Sequence, residues 1–152
     1  MQMFGREKIY TDVERITADN VVEVLNKTLL THNKNQREAE YLWDYYCGKT
    51  PILGKTKEIR KEINHKINVN RANEIVTFKR GYGFGEPIQY IRRGQKESLT
   101  DDINALNEYM FQEDKQAKDS ELAEWFYTCG VGLRMVLPGK EKEEPFKIYT
   151  LD

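Results

Sequence analysis

The residues able to do chemistry are few and scattered. Two histidines, His32 and His65, and two cysteines, Cys47 and Cys129, are all that a nucleophile–base pair or a soft-metal site could draw on. A tetrahedral zinc site needs Cys or His in pairs two to four residues apart, to fix four ligands around one ion. Neither histidine has a partner at that spacing. A thiol–imidazole pair could assemble in space from distant positions, but no local signature flanks either cysteine. The histidines therefore read as solvent-exposed and the thiols as buried and inert. A single, widely separated cysteine pair is no disulfide framework, which fits a reducing compartment.

The run Gly81-Tyr82-Gly83-Phe84-Gly85 is a second chemical candidate. Glycines let backbone N–H groups approach a phosphate, and a helix N-terminus behind them adds its dipole. Here the glycines follow a predicted helix and precede a predicted strand, the wrong order for a nucleotide fingerprint, and no G-K-[ST] is present. A helix stop followed by a backbone turn is the expected structure. A small phosphate-binding enzyme using the Gly81–Gly85 loop is kept as an alternative.

Basic residues group at Lys55, Lys57, Arg60 and Lys61, at Lys79 and Arg80, and at Arg92, Arg93 and Lys96. Acids such as Glu58, Glu62, Glu86 and Glu97 interrupt or flank each group, so a solvated charged surface is expected rather than a nucleic-acid patch. The aromatic cluster Tyr41, Trp43, Tyr45 and Tyr46 is more informative. At 3.6 residues per turn it spreads around a helix, and a helix with large aromatics on several sides is covered on more than one of them. The second cover is either the domain's own core or a neighbouring subunit, since Tyr and Trp combine large area with a polar tip. Tyr41, Trp43 and Tyr45 are the candidate subunit interface. No catalytic, cofactor-binding or metal-binding residue is assigned.

The elements that must position these residues follow from periodicity and breakers. Thr17 and Asp19 are candidate caps for a helix bearing Val22, Leu25 and Leu29. A second helix is expected from Asn33 to Cys47, stopped by Gly48 and followed by Pro51. Residues 55–66 read as a connector or an exposed helix. A third helix, with Val69, Ala72 and Val76 on one stripe, should stop at Gly81. Residues 86–91 then read as a short edge strand, because Pro87 excludes a central one. Ser98 to Asp101 fits a looser capping box ahead of a helix carrying Ile103, Leu106 and Met110. A further helix spans about Lys115 to Thr128, with Leu122, Trp125, Phe126 and Cys129 sharing an arc, and Gly130-Val131-Gly132 ends it. Leu133 to Leu137 and Phe146 to Leu151 read as two strands joined by a charged tip. The fold class expected is α+β, predominantly helical, with a short edge strand and a C-terminal β-hairpin.

Composition agrees. The 152 residues carry 24 Lys+Arg and 25 Asp+Glu, a net charge of −1, which argues against binding nucleic acid or anionic lipid through overall charge. Hydrophobic residues at 39% and aromatics at 11% are too many for a disordered chain. The longest charge-free run, Trp125 to Leu133, is far short of the ~20 apolar residues a bilayer crossing needs. Charges at Arg6, Glu7 and Lys8 stand where a secretory peptide needs its apolar core.

Several runs resemble one family, in order and over essentially the whole chain: Met3-Phe4-Gly5-Arg6, Ile16-Thr17-Ala18-Asp19-Asn20, Asn70-Arg71-Ala72-Asn73-Glu74-Ile75-Val76, Gly81-Tyr82 through Gly85-Glu86-Pro87-Ile88-Gln89-Tyr90, Gly130-Val131-Gly132-Leu133-Arg134-Met135-Val136-Leu137-Pro138, and Ile148-Tyr149-Thr150-Leu151-Asp152. They are similar to the N-terminal region of a tailed-phage portal protein, of the type found in long-tailed phages and prophages of Gram-positive bacteria. The resemblance implies a structural, non-enzymatic subunit without cofactors. Its subunits form a ring, typically dodecameric, at one capsid vertex. Terminase pumps DNA in through that ring, and the DNA later leaves by it without sequence-specific contact. The implied partners are other portal subunits, capsid or scaffold protein, and terminase and a head–tail adaptor, with no membrane. The implied location is the portal vertex of the virion, and the bacterial host cytoplasm during assembly. Residues 1–152 would form the N-terminal wing portion of a larger portal fold, with stem, clip and tunnel loop absent, and alone would be monomeric or weakly associating. A stand-alone prophage-derived adaptor, binding a protein partner through the Trp43 and Tyr45 surface, is the other alternative.

Overall fold

A computed structural model describes residues 6–60, 62–91, 93–94, 100–140 and 145–151. The chain divides into two compact units, residues 1–69 and 70–152.

The first unit is built on one long helix, α1 (Val21–Tyr46). The two helices expected here are a single continuous one. No Gly or Pro interrupts the segment, and Asn35 sits in its interior with its side chain bonded away from the helix backbone rather than competing for it. The Asn35 amide accepts from the Glu7 N–H at 3.0 Å and donates to the Glu7 carbonyl at 2.9 Å, pinning the lead-in chain to mid-helix. The N-cap position is held by Asn20, not by Thr17 or Asp19. The Asn20 side chain accepts from the Thr17 N–H at 2.8 Å and donates to the Arg15 carbonyl at 3.0 Å, so it shapes the approach rather than capping the first turn.

As expected, α1 ends at a left-handed glycine, Gly48, with φ 84°; this is a region in which only a residue without Cβ sits free of strain. Pro51 then opens a 3₁₀ turn, Pro51–Leu53. The return chain is fastened by Asn68, whose amide donates to the Gly48 carbonyl at 2.5 Å, and by Lys66, which donates to the Leu53 carbonyl. Residues 55–60 and 62–66 form no helix; they are the connector. Val24 and Tyr46 are the buried side chains of α1.

The second unit contains α2 (Arg71–Phe84), α3 (Thr100–Gln112), α4 (Lys115–Cys129), β1 (Leu133–Pro138) and β2 (Phe146–Leu151). The fold is α+β and mainly helical, with the C-terminal hairpin where it was expected. Helix α4 is the hub, against which α2, α3 and β2 all pack. Val76, Tyr109, Ala123, Cys129 and Ile148 form its small core. Asn70 caps α2 by accepting from the Asn73 N–H at 3.1 Å. Two sequence expectations change here. Helix α2 runs through Gly81 and Gly83 to Phe84, so most of the glycine run is helix and not a turn. Neighbouring packing sustains it: Phe84 meets the Tyr127 ring edge-on at 6.4 Å, and Arg80 is ion-paired with Glu124.

Residues 86–91 are no strand. In place of a neighbouring strand, the Asn107 side chain holds both backbone groups of Tyr90, at 2.9 Å each. The capping box at Ser98 lies outside the described residues. Helix α4 closes at Gly130 (φ 72°), and Gly132 follows where the chain turns back over the helix. A Cβ there would stand 2.8 Å from the Leu122 carbonyl oxygen and 2.7 Å from Leu122 Cδ1, so this close approach requires glycine. Between α3 and α4, Asp114 adopts φ 51°, a left-handed conformation that Asp tolerates better than most residues. The hairpin is antiparallel, in the register Leu133↔Leu151 through Pro138↔Phe146.

Candidate subunit interface

At 100° per residue, Tyr41 and Tyr45 lie on one side of α1, and Trp43 and Tyr46 on nearly the opposite side. The ring contacts follow that division: Tyr41–Tyr45 centroids are 6.3 Å apart, and Trp43–Tyr46 centroids 5.4 Å. Tyr46 is buried, Tyr41 and Trp43 are half-buried, and Tyr45 is exposed. The three candidate interface residues therefore do not form one patch. Tyr41 and Tyr45 make an outward ridge, while Trp43 leans toward the buried Tyr46. The ridge lies next to the helix end, where Asp44 receives Lys49 at 2.8 Å. This carboxylate raises the Lys49 pKa above its ordinary value, chiefly by accepting its hydrogen bond.

The second unit has an apolar face that the sequence reading passed over. Ile75, Phe78 and Tyr82 follow i, i+3, i+7 along α2 and are all exposed, with Phe78 and Tyr82 stacked at 6.4 Å. The opposite face carries buried Val76 and packs on α4. The expected stripe Val69–Ala72–Val76 identified the inward side correctly at Ala72 and Val76, although Val69 precedes the helix. The same 3–4 spacing, counted from Ile75, would have shown the outward one. Phe126 was expected to share an arc with Cys129, but it is exposed while Cys129 is buried.

The chemical candidates fare as follows. His32 and His65 are exposed. Cys129 is buried, whereas Cys47 is exposed at the C-cap of α1, contrary to the expectation of two buried thiols. Among the described residues no group of three or more His, Cys, Asp or Glu could hold a metal ion. A cavity of about 400 Å³ does open beside the glycine run, lined by Arg80, Gly81, Phe84, Gly85, Asp114 and Gln116, among others. Its polarity is wrong for phosphate. The C-terminal end of α2 presents carbonyls, the negative end of the dipole, Asp114 adds a carboxylate, and Arg80 is taken by Glu124. Gln116 already donates to the Gly85 carbonyl at 2.8 Å. The phosphate-cradle alternative fails on this geometry.

Lys55, Lys57 and Arg60 are exposed, and Lys79 lies over the Tyr127 ring at 5.7 Å; Lys61, Arg92 and Lys96 fall outside the described residues. A buried ionic cluster went unforeseen. Asp119 on α4 is paired with Lys115 one turn earlier and with Arg134 of β1. Glu113 is the other perturbed group. Its carboxyl is held below the ordinary value of 4.5, first by the hydrogen bond from Lys118, against the opposing effect of burial, and further by the Ile148 N–H of β2.

No helix among the described residues is long and apolar enough to cross a membrane. The arrangement contains apolar ridges and ion-paired seams, which suit contact between proteins. A family model described as "Phage portal protein, SPP1 Gp6-like" matches residues 25–152, which takes in most of α1 and all of the second unit. No curated protein matches the chain. On the strength of that match, running from the aromatic helix through the C-terminal hairpin, the chain belongs to the phage portal protein family, whose members are structural components of the virion.

Proposed function

We propose that this chain builds the N-terminal, wing-forming layer of a portal ring at one vertex of a phage capsid. The ring is the conduit through which terminase packages DNA and from which the DNA is later ejected. The chain acts by assembly: it touches neighbouring portal subunits and capsid or scaffold protein, and it performs no catalysis. Terminase and the head–tail adaptor engage other parts of the ring, and DNA crosses it without sequence-specific contact. Assembly takes place in the cytoplasm of the bacterial host.

The observation that carries this reading is the family match over residues 25–152. The surface chemistry supports it. Ile75, Phe78 and Tyr82 on α2, and Val136, Leu137 and Tyr149 on the hairpin, are large apolar side chains left exposed around a small core, and contiguous exposed apolar surface marks interaction sites. Tyr41, Trp43 and Tyr45 contribute to the subunit contact, with Tyr45 outermost. The test is immunogold labelling of purified particles with antibody raised against this chain. Label at a single vertex per head is expected; label distributed over the shell, or absent from particles that contain the protein elsewhere, overturns the reading.

A further inference from the structure

The two outer edges of the β-hairpin are treated differently by the fold. Gly139 donates to the Pro145 carbonyl at 3.0 Å. In the observed register this makes the odd-numbered residues of β1 the ones whose backbone groups face β2, because hydrogen-bonded and non-bonded pairs alternate in an antiparallel ladder. Phe146, Ile148 and Thr150 accordingly turn their backbone groups to the outer edge of β2. That edge is covered by α3 and α4: Tyr109 donates its hydroxyl to the Phe146 carbonyl, and Thr150 donates its hydroxyl to the Lys118 carbonyl. On β1 the outward residues are Arg134, Val136 and Pro138. No side chain or backbone group among the described residues bonds to that edge, and Leu133, Met135, Val136 and Leu137 are exposed on both faces. It has no bulge, and its one charged side chain, Arg134, is turned onto Asp119. An unprotected edge of this kind is a template for another strand.

The same unit holds a complementary segment. One Asn107 amide spans both the N–H and the C=O of Tyr90, which is the geometry of strand pairing, with a side chain standing in for the partner. Tyr90 is thus extended, and continued extension through its neighbours turns the backbone groups of Gln89 and Ile91 away from Asn107, because such groups alternate sides along an extended chain; no hydrogen bond holds these groups among the described residues. Two outward residues spaced by two, Gln89 and Ile91, match two on β1, Arg134 and Val136. Pro87 stands at the start of the segment, where a strand admits it.

We infer that the outer edge of β1 receives residues 89–91 of a second copy of this chain, antiparallel, with Arg134 opposite Ile91 and Val136 opposite Gln89. Two different surfaces meet in this contact, so it is head-to-tail and propagates around a ring. Pairing β1 with β1 would be self-complementary and would close as a two-fold dimer. The inference rests on the proposal of a portal ring and names the contact within it.

In that register Met135 and Tyr90 form the non-hydrogen-bonded pair, whose Cα separation of about 4.5 Å suits a disulfide. The test uses the full chain at high concentration in a Cys47→Ser background, with Met135→Cys and Tyr90→Cys introduced singly and together, mild oxidation, and non-reducing electrophoresis. The double variant should give a ladder of multimers, a mixture of the two single variants should give dimers only, and each single variant alone should stay uncross-linked. Adding Val136→Pro, or Ile91→Pro on the donor side, to the double variant should remove the ladder while the thermal melt stays unchanged. A dimer from Met135→Cys alone, no cross-link in the double variant, or a ladder that survives both prolines would overturn the inference. Single-vertex labelling of particles alongside any of these results would leave the ring reading intact, so the two fail separately.

Discussion

Arg134 of β1 brings Nη2 to 2.6 Å from Oδ1 of Asp119 on α4, and this contact ties the hairpin to the hub helix. The Asp119 side chain is 7% exposed and is shared with Lys115, itself 10% exposed. The Arg134 contact is one of charge rather than an aligned hydrogen bond, and Arg134 Nε is buried with no acceptor among the described residues. One carboxylate thus compensates two cations in a poorly solvated place. Removing it would leave both uncompensated, which is far costlier than losing a surface pair.

Asp119→Ala should therefore lower the unfolding free energy by roughly 3 kcal/mol. Glu23→Ala, which breaks the exposed Lys27–Glu23 pair at 3.4 Å, should change it by less than about 0.5 kcal/mol. Urea unfolding followed by far-UV circular dichroism distinguishes them. Equal losses would mean that the buried cluster carries no special weight.

Glu113 predicts a pH dependence of definite sign. Its carboxyl titrates below the ordinary 4.5 in the folded chain, because Lys118 hydrogen-bonds the charged form. The stability it contributes is fully present above pH 4.5 and is lost as pH falls through the lower folded value. Glu113→Gln should be less stable than the parent at pH 7, and the gap should close on acidification below pH 4.5. A gap that widens toward acid would contradict the assignment.

Two glycine substitutions should have opposite signs. Gly132→Ala puts a Cβ against the Leu122 carbonyl and side chain and should cost about 1–3 kcal/mol, as overpacking does. Gly81→Ala meets nothing within 4 Å and lies inside α2, so it should gain roughly 0.5–1 kcal/mol from helix propensity. Paired thermal melts suffice to check both.

Neighbouring tyrosines on α1 should separate folding from assembly. Tyr46→Ala empties a buried position and should cost about 3 kcal/mol of stability. Tyr45→Ser alters an exposed ring and should leave the melt within about 0.5 kcal/mol of the parent while weakening self-association in sedimentation velocity. If Tyr45→Ser instead unfolds the chain, the outward ridge belongs to the core.

Much of the fold was legible in the residues because local rules dominate there. Gly48, Gly130 and Pro51 stop or start helices by backbone conformation alone, and the short, mainly apolar runs 133–137 and 146–151, joined by a charged tip that begins Pro138-Gly139, mark strands wherever they come to pack. The family resemblance was legible for a similar reason, since it lies in runs of adjacent residues. The misreadings occurred where a distant partner overrides a local preference. The two helices expected at α1 are one, with Asn35 in its interior bonded to Glu7, and Gly81 and Gly83 stay helical because Phe84 and Arg80 are held by α4. Residues 86–91 are no strand because the Asn107 side chain, seventeen positions from Tyr90, supplies the strand's hydrogen bonds. The closed edge of β2, the open edge of β1 and the Lys115–Asp119–Arg134 cluster depend on which elements meet around α4. Periodicity tells which face of an element is apolar; only the tertiary structure determines what that face meets and which backbone groups it leaves unpaired.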